Sequence, residues 1–253
     1  MNVYLASSLT LLVTMIFGYL IGSFPSAIFI GKVFYGVDVR KQGSHNAGGT
    51  NVGRVIGKKA GIITIALDVL KTVIAIWVPF LILTLSPLKE HLVSNEKWPL
   101  AIYYYMGGVA AAIGHSFPIF AHFKGGKAMS VFSGFVFATN PVISILGVII
   151  FFLIFLWKKY VSLASILAPF SVVIMSIFLA IFPVLRCTNY FFVSSCRLDG
   201  TYIYTIFLLV IALYVVLRHI PNIKRLMKGT EPKTHFKKTP KASLHHENKE
   251  VEE

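Results

Sequence analysis

The chain has 253 residues, 56% of them hydrophobic and only 13% charged, with 24 Lys and Arg against 10 Asp and Glu. A soluble domain is nearer half apolar and a quarter charged, so this composition excludes an ordinary soluble protein. The bases sit in short loops and a tail between apolar spans, which excludes a nucleic-acid-binding face and fits the positive-inside pattern of a polytopic membrane protein.

No Lys or Arg precedes Lys32, so the N-terminus lacks the charged region of a cleavable signal peptide. The apolar run from Val3 to Phe34 is interrupted by Gly22-Ser-Phe-Pro25-Ser, about 20 residues in, the length that crosses hydrocarbon. This predicts a long first helix broken near Pro25. Next comes Gly43-Ser-His-Asn-Ala-Gly-Gly-Thr-Asn-Val-Gly-Arg54, too rich in glycine for a packed helix. It is either a flexible polar loop or a nest whose N–H groups converge on an anion, with Arg54 as an added donor for phosphate or carboxylate.

Ala60 to Leu85 forms the second span and carries Asp68 and Lys71 on one helix face. Ionisable groups at membrane depth face a partner or a water-filled cavity. Two readings stay open for this pair, a structural ion pair and a device that positions the polar loop. The third span, Leu100 to Phe123, leads into Gly125-Gly126-Lys127. Ala128 to Trp157 would make a single helix about 45 Å long, beyond a hydrocarbon core of about 30 Å. Asn140-Pro141 divides it into two short helices, the fourth and fifth. Val161 to Val184 and Tyr202 to Leu217 are the sixth and seventh spans.

Charge decides the topology. With seven helices, Lys32, Arg40, Lys41, Arg54, Lys58, Lys59, Lys124, Lys127, Lys158, Lys159 and the basic residues after Arg218 share one side, against Lys89, Lys97, Arg186 and Arg197 on the other. The expectation is an all-α polytopic integral membrane protein with seven transmembrane helices, N-terminus outside and C-terminus cytoplasmic. Residues 1–226 form the membrane domain, and 227–253 form a charged, disordered cytoplasmic tail. Two cysteines exclude a disulfide-rich scaffold. Cys187 and Cys196, both in the outer loop, can pair in an oxidising compartment, but their spacing does not decide it.

Four polar segments, 43–54, 114–127, 158–165 and 218–225, then meet at one membrane face. They offer Arg54, Lys127, Arg218 and Lys124 as cations, glycines for close approach, and Ser44, Asn46, Asn51, Ser162 and Asn222 as hydrogen-bonding groups. The chemistry fits a phosphate-bearing, polyol-like ligand. Lys124-Gly-Gly-Lys127 lacks P-loop spacing and, standing alone, reads first as a cytoplasmic stop of positive charge. His115 and His219 end apolar spans beside polar motifs. No His/Glu pairing indicates a metal, no cofactor is called for, no serine has the Gly-x-Ser-x-Gly elbow, and none of the eight histidines has Asp five positions on.

Gly22-Ser23, Arg40-x-x-Gly-Ser-x-Asn-x-Gly-x-Thr-Asn51, Asp68-x-x-Lys71, Gly114-His-x-Phe-Pro-x-Phe-x-x-Phe-Lys-Gly-Gly-Lys127, Tyr160-Val-Ser-Leu163 and Arg218-His-x-x-Asn-Ile-x-Arg-Leu226 resemble, in order, the motifs of bacterial acyl-phosphate:glycerol-3-phosphate acyltransferases of the PlsY type. The resemblance covers about residues 1–231. His45 and Gly49 depart from the usual glycine and alanine, and Ala128-Met-Ser130 from Gly-Val-Ala; His45, inside the loop, is expected to tune substrate fit. The resemblance implies acyl transfer from acyl phosphate to the 1-hydroxyl of glycerol 3-phosphate, giving 1-acyl-glycerol 3-phosphate (lysophosphatidic acid) and phosphate, the first step of phospholipid synthesis. It further implies a bacterial plasma membrane location, an active site at the cytoplasmic face, and functional coupling to the enzyme that makes acyl phosphate.

By motif position, Ser44, Arg54, Lys127, Ser162, His219 and Asn222 would carry catalysis. Gly43, Asn46, Gly48, Thr50, Asn51, Gly125, Gly126 and Arg218 would bind phosphate, with Gly43, Gly125 and Gly126 as backbone donors, and Ser23, Asp68, Lys71 and His115 would support them. Without a His–Asp pair, a substrate phosphate oxygen is the expected proton acceptor. The rival classes are a transporter for a phosphate-bearing anion and a scaffold whose basic tail binds anionic lipid.

Overall fold

A computed structural model describes residues 2–94, 98–182, 189–190, 193–194 and 202–234. In chain order the helices are α1 (Val3–Gly22), α2 (Ser26–Phe29) continuing into a π-helical turn over Ile30–Phe34, α3 (Gly49–Val55), α4 (Lys58–Leu85), α5 (Ala101–Ser116), α6 (Met129–Thr139), α7 (Pro141–Lys158), α8 (Val161–Ile181), α9 (Tyr202–Arg218) and α10 (Ile220–Met227). The strands among the described residues are one antiparallel pair, Asn189–Tyr190 with Val193–Ser194. Val3–Phe34, α4, α7 and α8 are long and apolar enough to cross a membrane, and α9 with α10, bent by 58°, makes a fifth candidate.

Local chemistry sets the breaks. Asn2 caps α1 by accepting the Tyr4 N–H at 2.9 Å, and the helix stops at Gly22 ahead of Pro25, as expected. Asn140 Oδ1 accepts the Ile143 N–H at 3.0 Å, while Pro141 takes the first helical position, where no donor is needed. Of the two helices around this corner only α6 is short. Its 11 residues rise about 16 Å, whereas the 18 of α7 rise about 27 Å, because α7 runs on unbroken to Lys158.

Small residues bring the first helices together. A Cβ on Gly18 would lie 2.2 Å from the Gly107 carbonyl oxygen, and one on Gly22 would lie 2.3 Å from that of Ala111. The α1 and α5 backbones thus touch through a small-xxx-small face. Gly107 is equally close to α4, where its Cβ would lie 2.6 Å from the Ala75 carbonyl. Deeper in the bundle, Tyr105 of α5 packs on Phe135 of α6 and Tyr204 of α9, with ring centroids 5.5 and 5.9 Å apart. The opposite surfaces carry exposed apolar side chains such as Val13, Ile62 and Leu153, as a lipid-facing surface requires.

Beyond residue 226 the fold continues. Gly229 at φ +68 reverses the chain, with the Thr230 N–H bonded to the Arg225 carbonyl at 2.8 Å, in the manner of a Schellman turn. The returning segment reaches the end of α7, where the Thr234 N–H donates to the Lys159 carbonyl at 2.9 Å. Cys187, Cys196 and the tail after Thr234 lie outside the described residues.

Because Gly18 faces backbone rather than a movable side chain, Gly18→Ala forces α1 away from α5. We expect a loss of about 1–3 kcal/mol, read as a lowered Tm of the purified protein in detergent; an unchanged Tm would show that the two backbones separate freely.

Candidate active site

A cavity of about 410 Å³ opens where α3, α6, α7, α8 and α10 meet. One end is polar, lined by Ser44, Asn46, Gly48, Gly49, Thr50, Asn51, Arg54, His115, Lys127, Ser162, His219, Asn222, Arg225 and Glu231. The other runs between α6, α7 and α8 and is walled by Phe132, Val136, Phe137, Gly147, Val148, Phe151, Phe152, Ala168 and Val172. α6 packs mainly on α4, and α8 on α7 and α9, which leaves the space between α6 and α8 free.

Asn51 shapes the first polar loop. Its Nδ2 donates to the carbonyls of Val39 (2.7 Å) and Gln42 (3.1 Å), and its Oδ1 accepts the Ser44 N–H at 2.8 Å. Gly43, at φ +64, passes so close that a Cβ would lie 2.3 Å from Asn51 Oδ1. Gly43 is thus a turn residue beside the cavity, outside its lining. His45, at φ 57, explains why a glycine suits that position, and histidine is among the residues that tolerate the left-handed region. It is exposed, with Nδ1 3.1 Å from the Arg40 carbonyl oxygen, and also lies outside the lining. Arg40 clamps Asp38 through two hydrogen bonds and reaches the Ala121 carbonyl at 3.2 Å. These bonds from Arg40 hold the Asp38 carboxyl at about 2 despite its partial burial.

The second polar loop rests on a buried ionic cluster. Lys71 Nζ lies 2.9 Å from Asp68 Oδ1 and 3.0 Å from His115 Nδ1, and it donates to the Phe24 carbonyl at 2.9 Å. His115 Nδ1 also lies 3.4 Å from Asp68 Oδ1, so the ring nitrogen faces both members of the pair. Ser130 Oγ donates to Asp68 Oδ2 at 2.9 Å. This cluster lies directly beneath the glycine pair: a Cβ on Gly126 would meet His115 Nε2 at 2.1 Å, and one on Gly125 the His115 carbonyl oxygen at 2.0 Å. The N–H groups expected to face phosphate are engaged inside the protein instead, Gly125 with the Ser116 carbonyl (3.2 Å) and Gly126 with that of His115 (3.0 Å). Arg218 also differs from expectation. It lies outside the lining, donates to the Gly126 carbonyl at 3.2 Å and stacks over Phe117 at 4.6 Å. Ser23 is buried below Gly114 at the α1–α5 contact.

What the glycines and Arg218 hold in place is Lys127. Its Nζ donates to Asn222 Oδ1 at 2.5 Å. Burial, together with the charge of Arg225, pushes the Lys127 ammonium down to about 8, against the pull of Glu231. Asn222 in turn donates to Glu231 Oε1 at 2.7 Å, and Arg225 Nε to Oε2 at 2.7 Å. Burial raises the Glu231 carboxyl, but Asn222, Ser162 and Arg225 together hold it below its ordinary value; Ser162 Oγ does so from just outside ordinary hydrogen-bond geometry. His219 Nδ1 is 2.7 Å from the Val215 carbonyl oxygen, so Nδ1 carries the proton and Nε2 is the ring's free acceptor. Arg54 donates to Thr234 Oγ1 at 2.8 Å.

The six side chains assigned to catalysis from the sequence therefore line one cavity, as do Asn46, Gly48, Thr50, Asn51 and His115; Gly43, Gly125, Gly126, Arg218, Ser23, Asp68 and Lys71 stand behind it. Sequence reasoning missed Arg225, Ser130 and Glu231. Glu231 was discoverable as an isolated acid two residues beyond Gly229 in a basic stretch.

A cationic, hydroxyl-lined head joined to an apolar trunk among membrane-length helices defines a membrane enzyme for an anionic amphiphile. The chain belongs to the glycerol-3-phosphate acyltransferase family, whose model matches residues 12–229. It is 36% identical over 227 residues to the glycerol-3-phosphate acyltransferase of Bacillus cytotoxicus, covering 90% of this chain and 96% of that one. With the Listeria welshimeri protein of the same description it shares 37% over 226 residues, 89% and 98% of the two chains. Its fold is similar to the crystal structure of PlsY (YgiH), an integral membrane glycerol 3-phosphate acyltransferase, in its glycerol 3-phosphate form, with TM-score 0.69 and 34% identity over 89% of this chain and 96% of that one. It is also similar to the lysophosphatidic acid form, with TM-score 0.67 and 32% identity over 89% and 95%. The protein is accordingly a multi-pass membrane protein.

Removing one partner from a buried ion pair leaves the other uncompensated, at about 3–5 kcal/mol. We expect Asp68→Asn to lower the Tm in detergent accordingly and Asp68→Asn with Lys71→Met to recover much of the loss; a single variant as stable as the parent would assign the pair no structural role.

Proposed function

We propose that this protein transfers an acyl group from acyl phosphate to the 1-hydroxyl of glycerol 3-phosphate, releasing phosphate and 1-acyl-glycerol 3-phosphate. The observation that carries the reading is one continuous cavity with Arg54, Lys127 and Arg225 at its polar end and an apolar trunk behind them. A phosphate sits at the head and an acyl chain along the trunk. The mixed anhydride is already activated, so the site has to hold two mutually repelling anions together and stabilise developing charge. Ser44, Arg54, Lys127, Ser162, His219 and Asn222 surround the two phosphates and the glycerol hydroxyls, with Asn46 and Thr50 at the rim.

In the transfer, the glycerol oxygen bonds to the acyl carbon, the bond from that carbon to the phosphate oxygen breaks, and the hydroxyl proton passes to a phosphate oxygen. His219 is another acceptor within the site, beside the Glu231 carboxylate that Asn222 and Arg225 occupy. Its Nδ1 faces a backbone carbonyl, a weaker support for an imidazolium than the directly bonded Asp of a catalytic triad; we assign His219 to orienting the hydroxyl. Ser44→Ala or His219→Ala abolishing turnover with both substrates still bound would overturn the phosphate oxygen as acceptor and favour a side-chain base.

We read the chain as seven passes, α1, α4, α5, α6, α7, α8 and α9, with the N-terminus outside and the cavity mouth at the cytoplasmic face of a bacterial plasma membrane. The clustering of basic residues at the ends of these helices nearest the cavity supports this. The acyl-phosphate-producing enzyme is the functional partner of such a site.

Purified protein given acyl phosphate should release phosphate only when glycerol 3-phosphate is present, and Lys127→Ala should reduce release by about two to three orders of magnitude, the scale of losing one electrostatic stabiliser. No release, with acyl-CoA and acyl carrier protein also inactive, would turn attention to vesicle uptake and a transporter.

The Lys127 ammonium, at about 8, is charged below that pH and neutral above it. The KM for glycerol 3-phosphate should therefore rise as pH passes about 8 and stay flat in Lys127→Arg, whose guanidinium remains protonated. A parent KM constant through this window would remove Lys127 from substrate binding.

A further inference from the structure

The trunk of the cavity has a narrow point. Along α8 the residues that face it step from Ser162 and Ser165 through Ala168 to Val172, a run of about 15 Å at about 1.5 Å per residue. Val172 is the deepest of these and only 3% exposed. Level with it on α7 is Gly147, where a Cβ would lie 2.6 Å from Val172 Cγ2. Val172 thus fills the space that a side chain at 147 would take, and a β-branched side chain has little rotamer freedom to move aside. One turn nearer the polar head, Ala168 keeps the trunk open.

We propose that Val172, seated on Gly147, limits the length of acyl chain the enzyme accepts. The proposal rests on the acyl-phosphate reading above and adds its specificity. A chain whose end stops short of Val172 fills the trunk; a longer one must displace a packed side chain or bend back. A methylene gained or lost in an apolar pocket changes discrimination roughly 10-fold or more, so one residue at the narrow point is sufficient to set a preference. Val172→Ala widens the passage toward Ser144, which lines the cavity one turn farther along α7. Gly147→Ala and Val172→Ile narrow it.

The test measures kcat/KM for a series of saturated acyl phosphates, short to long, on the full chain in lipid with glycerol 3-phosphate saturating. Val172→Ala should raise the long-to-short ratio roughly 10-fold or more; Gly147→Ala and Val172→Ile should lower it, with the KM for glycerol 3-phosphate unchanged in all three. Val172→Ala and Val172→Ile carry the test alone if Gly147→Ala does not fold. Folded, active variants that keep the parent's length profile would overturn the proposal, because the chain would then leave sideways between α6 and α7, past the exposed lining residues Phe137, Val148 and Phe152. A parent inactive with every acyl phosphate would instead sink the reading on which the proposal rests, and the proposal with it.

Discussion

The architecture of the site depends on the ionic cluster of Asp68, Lys71 and His115, all within the bundle and nearly inaccessible. Charges out of water are expensive, and their attraction compensates only when each is matched and hydrogen-bonded. Here the matching partners come from separate parts of the chain: Lys71 takes the Phe24 carbonyl at the broken end of the first span, and Asp68 takes Ser130 at the start of α6. The cluster therefore registers α1, α4, α5 and α6 against one another at the level where the cavity begins. Of the two readings the sequence left open, the geometry contains parts of both. The pair is ion-paired inside the bundle, and the loop it underlies is 116–127 rather than 43–54.

That loop is held from two sides. Beneath it, His115 contacts Gly126 through its ring and accepts the Gly126 N–H with its own carbonyl. Above it, Arg218 binds the Gly126 carbonyl. The peptide planes on either side of Gly126 are each held by one bond, and the next residue, Lys127, inherits that rigidity. A second chain of contacts, Glu231 to Asn222 to Lys127, fixes the lysine from the opposite side. Positioning rather than charge alone distinguishes this lysine from the many others near the membrane surface, and the catalytic role proposed for it needs that fixed position.

Much of this was legible beforehand. The break at Pro25, the corner at Asn140-Pro141 and the convergence of the polar segments follow from residue types whose backbone consequences are nearly independent of context. The roles of the glycines were not. Composition shows where backbone can approach something closely, but the same Gly-Gly serves a phosphate in one fold and a histidine ring in another. For the same reason Arg218 reads as a ligand-binding cation although it acts on a carbonyl. Glu231 escaped because its role depends on the reversal at Gly229, which returns a tail residue to the site. A charged tail and a folded strap share a composition, and only the turn separates them.

Placing the chemistry at helix ends also answers a constraint of the bilayer. Irregular backbone is tolerable in a membrane protein only where protein or water satisfies its N–H and C=O groups. The loops at 39–51 and 116–127 meet that requirement with their own contacts, through Asn51 for the first and the carbonyls of His115 and Ser116 for the second. Consequently the groups left over to face the cavity are predominantly side chains: Ser44, Arg54, Lys127 and Asn222. Side chains can be exchanged without unfolding the loop beneath them, whereas the glycines and Asn51 cannot. Tolerance to substitution should therefore follow which residues satisfy backbone, and only secondarily which touch substrate.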